Sequence, residues 1–233
     1  MKTTIFLLIS FFLIHSADCQ TNQSGKVGVI VCLDDSLTHN YIGITIFQLI
    51  LNDKYPFPDD LENHLKDTVF NYLNAAFPKH EFIEIERTYG KDYFRQKTRL
   101  TNKEFKEFRS NWYASLQEKY GISSLIFIQN SESFYDIIYN STYPIRGYGL
   151  YNGTLTNANI AYILLESYFF QEPKPVILEG LTFFKKVKEL PRVTKITDSL
   201  STENIVKIGV ELERLVDIQI SEIFHTPEYN PLR

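Results

Sequence analysis

The spacing of hydrophobic positions changes several times along the chain, and each change predicts an element. Continuous apolar runs bounded by turn residues predict buried strands at 26–33 and 123–130. β-Branched residues at 41–48 predict another strand, and isoleucines alternating with glutamates at 81–87 predict a half-exposed one. Residues 134–187 show no helical stripe and predict successive antiparallel strands.

Stripes near 3.6-residue spacing predict three helices. Each begins at a capping residue, and the three are expected from Asp59 or Asp60 to Pro78, from Thr101 or Asn102 to Gly121, and from Ser201 or Thr202 to Phe224. Together with the strands they predict a single α+β domain over 26–225, with a mixed sheet and an antiparallel C-terminal meander. Residues 20–25 are expected to be a flexible N-terminus and 226–233 a tail.

The first nineteen residues have the pattern of an export signal. Lys2 precedes an apolar run at 5–14 that is about half the length a membrane-spanning helix needs. Small residues at Ala17 and Cys19 predict cleavage before Gln20. The mature protein is therefore expected to be secreted or periplasmic. A lipoprotein signal also ends at a cysteine, so acylation of Cys19 is the alternative, although the aspartate before it fits that signal poorly.

Composition narrows the function classes. Hydrophobic residues make up 44% of the 233 and charged residues 22%, which is typical of a globular protein. The net charge is −4, so a nucleic-acid binder, which needs a basic face, is not expected. No later run is long enough to form a transmembrane segment. If Cys19 is removed, Cys32 is the one cysteine left, and its apolar surroundings predict a buried, inert thiol.

The order of elements resembles the N-terminal domain of TolB and the curli-secretion lipoprotein. The residues that carry the likeness are VGVIV at 27–31, LENHLKDTVFNYL at 61–73, Ile85-Glu86-Arg87, and KYGISSLIFI at 119–128. The extra strand at 41–48 departs from that layout. The resemblance implies an envelope accessory protein rather than an enzyme.

The candidate catalytic residues follow the first strand, in the sequence DDSLTH. Asp34, Asp35 and His39 could hold a divalent metal, or act as a base and its orienting group, at the carboxyl end of a central strand. A solvated turn is the alternative, because these are also turn residues. No cofactor or metal is expected, since no phosphate-binding loop or His-Glu-x-x-His motif occurs.

Two charged segments have simpler interpretations. His80, Glu81, Glu84 and Glu86 predict a solvated strand face, and Glu86 could instead pair with its neighbour Arg87 to fix the following loop. Residues 91–106 are locally basic and interleaved with aromatic residues. They could contact an anionic polymer or a lipid surface, although a solvated loop before a helix is favoured.

Tyrosines are concentrated in 134–170, and aromatic residues occupy both parities of the predicted strands there. Some of these tyrosines must then lie on a solvent-exposed face of the sheet. We therefore expect a binding face for a protein or a glycan. The candidates are Tyr135, Tyr148, Tyr151 and Tyr168. A small-ligand binder using this meander would instead show an apolar pocket.

Asn22, Asn140 and Asn152 lie in N-x-S/T sequons and are possible glycosylation sites in a eukaryotic host. Taken together, the sequence predicts an exported, non-enzymatic envelope or extracellular binding protein. The alternative is a small hydrolase or metal-dependent enzyme using Asp34, Asp35 and His39.

Overall fold

The computed structural model describes residues 25–42, 51–56, 61–133, 145–153, 159–171, 176–178, 182–187 and 200–225. Its strands are β1 (Lys26–Cys32), β2 (Ser36–Ile42), β3 (Leu51–Pro56), β4 (Glu81–Glu84), β5 (Ser124–Asn130), β6 (Glu132–Ser133), β7 (Ile145–Arg146), β8 (Tyr148–Gly153), β9 (Asn159–Phe170), β10 (Val176–Leu178) and β11 (Thr182–Val187). Its helices are α1 (Leu61–Ala76), α2 (Arg87–Arg99), α3 (Asn102–Tyr120) and α4 (Thr202–His225).

Nine of these strands form one mixed sheet, which confirms the predicted fold class. Strand β1 pairs in parallel with both β4 and β5, and β2 pairs in parallel with β8. The long strand β9 pairs antiparallel with β5, β8, β10 and β11, and this is the predicted meander. The short pair β6–β7 forms a separate antiparallel ribbon.

Helices cover both faces of the sheet. Alternate residues of β1 explain how, because Val29 and Val31 pack with α1 and α4, whereas Ile30 packs with α2 and α3 on the opposite face. Leu65 and Leu212 lie in the first of these clusters, as the sequence predicts. A sheet buried on both sides also accounts for strands that are apolar at both parities.

The helix ends follow local sequence closely. Thr101 and Glu104 form a capping box at the start of α3, and Gly121 ends that helix in the left-handed conformation at φ 65°. Helix α1 begins at Leu61 and ends at Ala76, two residues before Pro78.

Three predicted segments differ in the structure. The segment expected to be a loop at 91–106 is largely helical, because α2 runs to Arg99 and α3 begins at Asn102. The predicted strand at 41–48 overlaps only the end of β2, which begins at Ser36; residues 43–50 lie outside the described part. The proline-containing segment at 52–60, predicted to be a loop, begins instead within strand β3. Pro56 is tolerated there because it is the last residue of the strand, opposite Ser36.

Candidate functional site

The candidate site lies at a fork in the sheet. In β9, the backbone N–H of Leu164 donates to the carbonyl of Gly147 at 2.8 Å. The carbonyl of Leu164 accepts from the backbone N–H of Ser131 at 2.9 Å. Ser131 follows β5 and Gly147 precedes β8, so these two strands diverge at this residue. Gly147 has φ 71°, and an added Cβ would lie 3.1 Å from the carboxylate of Asp34, so glycine fits this junction best.

A partly buried ion pair fixes the turn after β1. The Glu62 carboxylate on α1 accepts from the Leu33 N–H at 3.1 Å and lies 3.3 Å from Arg87 Nη1. Arg87 Nη2 donates to the Leu33 carbonyl at 3.1 Å and also to the Asp35 carboxylate. One arginine therefore ties α1, α2 and the turn together. The pairing proposed between Arg87 and Glu86 is not found, because Glu86 pairs with Lys119 instead.

The two aspartates of this turn act as counterions. Asp35 also accepts from Lys91 Nζ at 3.1 Å, and these hydrogen bonds from Arg87 and Lys91 lower the pKa of Asp35 below its usual value. The Asp34 N–H donates to Asn130 Oδ1 at 2.5 Å, and the Asp34 carboxylate lies 3.8 Å from Arg146 Nε. The hydrogen bonds from Arg87 and Lys91 therefore make the Asp35 carboxylate a poor proton acceptor.

His39 lies apart from both aspartates. It is a buried residue of β2, 4% exposed, and its Nε2 lies 2.6 Å from Asn152 Oδ1. Because that amide oxygen can only accept, Nε2 carries the proton, and burial lowers the pKa of His39 from 6.5. His39 does not line the cavity that Asp34 and Asp35 share. The three residues of the DDSLTH segment therefore do not form one site, since β2 already begins at Ser36 and directs His39 into the interior.

Two adjoining cavities open beside the fork, between α2, the end of β5 and β7. The larger has a volume of about 610 Å³, and the smaller of about 170 Å³ contains the turn after β1. Phe94, Asn130 and Arg146 line both, so we treat them as one cleft. The other described residues that line the larger cavity are Arg95, Lys97, Thr98, Ser131 and Glu166.

The larger cavity is cationic in an otherwise acidic protein. Among the described residues of its walls, Arg95, Lys97 and Arg146 lie opposite one carboxylate, that of Glu166. Lys97 Nζ donates to the Tyr168 hydroxyl at 3.3 Å, and the Arg146 guanidinium lies 5.9 Å from the centre of the Phe94 ring. Glu166 accepts from Gln129 Nε2 at 3.0 Å. The arrangement can attract and hold an anion.

Asn130 contributes a further polar group to the cleft. The residue is 4% exposed, and its Nδ2 has no hydrogen-bond partner within the described part of the chain, whereas its Oδ1 accepts from the Asp34 backbone N–H. An unpaired buried donor costs about 1–3 kcal/mol, so an acceptor placed here would be favoured.

The expected tyrosine face is not formed by the residues chosen for it. Tyr148, Tyr151 and Tyr168 are each less than 5% exposed, and Tyr135 lies outside the described residues. Tyr168 packs with Trp112 and Phe170 under α2 and α3, and Tyr148 packs on the opposite face. The expectation assumed that one face of the sheet is exposed to solvent, but helices cover both faces.

The sequons and the leader are only partly within the described residues. Asn152 is 4% exposed and its side chain bonds to His39 and Asn159, so it cannot carry a glycan in the folded protein. Asn22, Asn140, Cys19 and Gln20 lie outside the described part.

Other chemistry expected from the sequence can now be placed. Burial raises the pKa of the Cys32 thiol to about 11, which fits an inert side chain. Glu81 and Glu84 pair with lysines on the surface, as a solvated strand face predicts. In the described part of the chain, no three His, Cys, Asp or Glu residues are grouped so that they could hold a metal ion. None of the described helices combines the length and apolar character needed to cross a bilayer.

Sequence reasoning missed Asn130 and Arg146, and recognised Phe94, Arg95 and Lys97 only as part of a basic segment. Arg146 lies 16 residues beyond Asn130, and only the pairing of β6 with β7 brings it back to the cleft. The one local signal was the basic and aromatic composition of 91–106.

Comparisons with known proteins assign no family. No family model matches the chain, and no curated protein does. Among solved structures, protein XCC0632 from Xanthomonas campestris, described as DUF330, is 11% identical with a TM-score of 0.37, covering 85% of this chain and 81% of that one. Lipoprotein GNA1162 from Neisseria meningitidis is 9% identical with a TM-score of 0.34, covering 82% and 98%. Hypothetical protein CT253 from Chlamydia trachomatis is 8% identical with a TM-score of 0.34, covering 87% and 99%. TolB and the curli-secretion lipoprotein are not among these three, and similarity at this level identifies neither a family nor a function.

Proposed function

We propose that this chain is an exported accessory protein of an envelope or extracellular space, and that it binds a small anionic ligand in the cleft without transforming it. The observation that carries this is the lining of the 610 Å³ cavity, whose described residues include three cationic side chains and one carboxylate. Ligand sites commonly have volumes of about 300–1,000 Å³ and a few converging polar groups. Export rests on the signal pattern of residues 1–19 and stays a prediction.

The state of the candidate catalytic groups favours binding over the hydrolase alternative. Asp35 is neutralised by Arg87 and Lys91, and Asp34 lies beside Arg146. His39 is buried in β2 and lines neither cavity. A nucleophile and a base within hydrogen-bond reach, which acid–base or nucleophilic catalysis needs, are not offered by these three residues.

The ligand is proposed to be small because the cleft is a half-open concave site of limited volume. The protein or glycan partner expected from the tyrosines loses the support of Tyr148, Tyr151 and Tyr168, which are core residues. A partner could still use another surface, but the cleft supplies the physical argument for an anion.

A thermal-shift panel tests the proposal. The mature chain, beginning at Gln20, is melted with pairs of compounds that differ only in charge, such as benzoate with benzamide and phenyl phosphate with phenol. We expect at least one anion to raise the melting temperature in a concentration-dependent way and to be recovered unchanged. The neutral partners should have no effect.

The matched variants are Lys97→Glu in the cleft and Lys103→Glu on the exposed surface of α3. Reversal at Lys97 should remove the anion-induced shift, whereas reversal at Lys103 should retain it. If no anion stabilises the protein, or if Lys97→Glu retains the full shift, the cleft is not the binding site. Consumption of a bound ester would instead support the enzyme alternative.

A further inference from the structure

We infer that the anion bound in the cleft is a phosphate monoester. This rests on the proposed function and makes it more specific. The first argument is charge. Counted over the described lining residues of the larger cavity alone, where the ligand is placed, three cations and one carboxylate sum to a net charge of two positive. A phosphate monoester carries about −1.5 to −2 at pH 7 and would compensate that charge, whereas a monocarboxylate would leave one cation uncompensated.

The second argument is the position of the donors. Lys97 projects from α2 and Arg146 from β7, so the cationic groups lie on two walls of the cleft. Lys97 donates to the Tyr168 hydroxyl, and Arg146 pairs with Asp34 at the long distance of 3.8 Å, where both side chains are partly exposed. An arginine fork and a lysine point charge are the two side chains that most often bind phosphate.

Asn130 supplies a donor that a phosphoryl group can use. Its Nδ2 is buried beside the same cleft, between the end of β5 and Gly147, and none of the described residues pairs with it. A small side-chain rotation, or one bridging water, would bring this donor to an acceptor in the cavity. A phosphate group has three terminal oxygens, which match the three kinds of donor that Lys97, Arg146 and Asn130 provide.

The third argument concerns the rest of the ligand. The cavity extends well beyond the volume of a phosphate group, and the partly buried ring of Phe94 forms part of its wall. The Arg95 side chain, which is 63% exposed and pairs with Asp92 at 2.5 Å, lies on the Phe94 side of the cavity. An organic substituent on the phosphate could therefore pack on Phe94 while the phosphoryl oxygens face Lys97 and Arg146.

Isothermal titration of the mature chain tests this inference with four probes. These are phenyl phosphate, inorganic phosphate, benzoate, and phosphatidylcholine vesicles with or without phosphatidic acid, whose headgroup is also a phosphate monoester. We expect phenyl phosphate to bind about tenfold or more tightly than benzoate, and its affinity to fall as salt is added. Phosphate should bind more weakly than phenyl phosphate because it lacks the group that packs on Phe94.

The variants Arg146→Gln and Arg214→Gln form a matched pair, since Arg214 is an exposed arginine on α4. Arg146→Gln should weaken phenyl phosphate about tenfold, Arg146→Lys should recover part of that loss, and Arg214→Gln should have no effect. Melting curves confirm that each variant is folded.

The vesicle arm separates the two sources of this chemistry. Binding to phosphatidic acid vesicles but not to phenyl phosphate, and lost in Arg146→Gln, would identify a lipid headgroup as the ligand. Benzoate binding as tightly as phenyl phosphate would overturn the phosphate inference while leaving the proposed anion site intact. No binding by any probe would overturn both.

Discussion

Replacing Arg87 with methionine should destabilise the protein more than removing an ordinary surface charge. The change deletes the hydrogen bond to the Leu33 carbonyl, the contact with Asp35 and the ion pair with Glu62. The Glu62 side chain is only 10% exposed, so its charge would stay buried after the ion pair with Arg87 is lost. The hydrogen bond from the Leu33 N–H would be kept. Removing one partner of a buried ion pair costs about 3–5 kcal/mol.

Part of that penalty should be recovered by solvent, because the Arg87 side chain is 33% exposed and water can enter the space it leaves. We therefore expect a loss of about 2–3 kcal/mol for Arg87→Met. Glu62→Gln, which keeps an acceptor for the Leu33 N–H, should cost about 1 kcal/mol. In the double variant residue 62 carries no charge for Arg87 to balance, so the loss should be smaller than the two single losses added together by about 1 kcal/mol or more.

Urea denaturation of the wild type, both single variants and the double variant measures this coupling. The slope of unfolding free energy against urea should stay constant, so that midpoint shifts report stability alone. If the single losses add to within about 0.5 kcal/mol, Glu62 and Arg87 do not act as a unit and the account of the turn is wrong.

Three further predictions concern the core. Burial lowers the pKa of His39 in the folded protein, so its stabilising contribution is complete above pH 6.5. That contribution declines as the pH falls from 6.5 toward the lowered folded-state pKa. His39→Gln should therefore flatten this part of a curve of unfolding free energy against pH. Gly149→Ala should cost at least about 2 kcal/mol in urea denaturation, because its Cβ would lie 1.8 Å from the Thr38 carbonyl oxygen, and an unchanged midpoint would contradict the β2–β8 pairing. Leu212→Ala, on the buried face of α4, should cost about 2–5 kcal/mol, and a loss under about 0.5 kcal/mol would show that this helix is not docked.

Local sequence predicted the elements whose signals are complete within a few residues. The capping box of Thr101 and Glu104, the left-handed Gly121 and the continuous apolar run of β1 each have a local cause. Helix α2 escaped prediction because its buried side is narrow: Gly90 and Tyr93 are its buried residues, and charged side chains occupy most other positions.

The candidate site could not be predicted as a unit because it is assembled by long-range pairing. Asn130 and Arg146 reach the cleft through the fork at Leu164 and the β6–β7 ribbon, and Lys97 reaches it through an unpredicted helix. The same limit explains the tyrosines, since alternation along a strand reveals that Tyr168 and Phe169 face opposite sides but not that helices cover both.

The central claim, that the cleft binds an anion, is tested most directly by mapping amide chemical shifts in a ¹⁵N-labelled mature chain titrated with phenyl phosphate. The account predicts saturable shifts concentrated at Lys97, Ser131, Arg146 and Gly147, with residues of α1 and α4 unchanged. Arg146→Gln should weaken the response at all four positions. Shifts spread evenly over surface lysines, or centred on another part of the protein, would contradict the account.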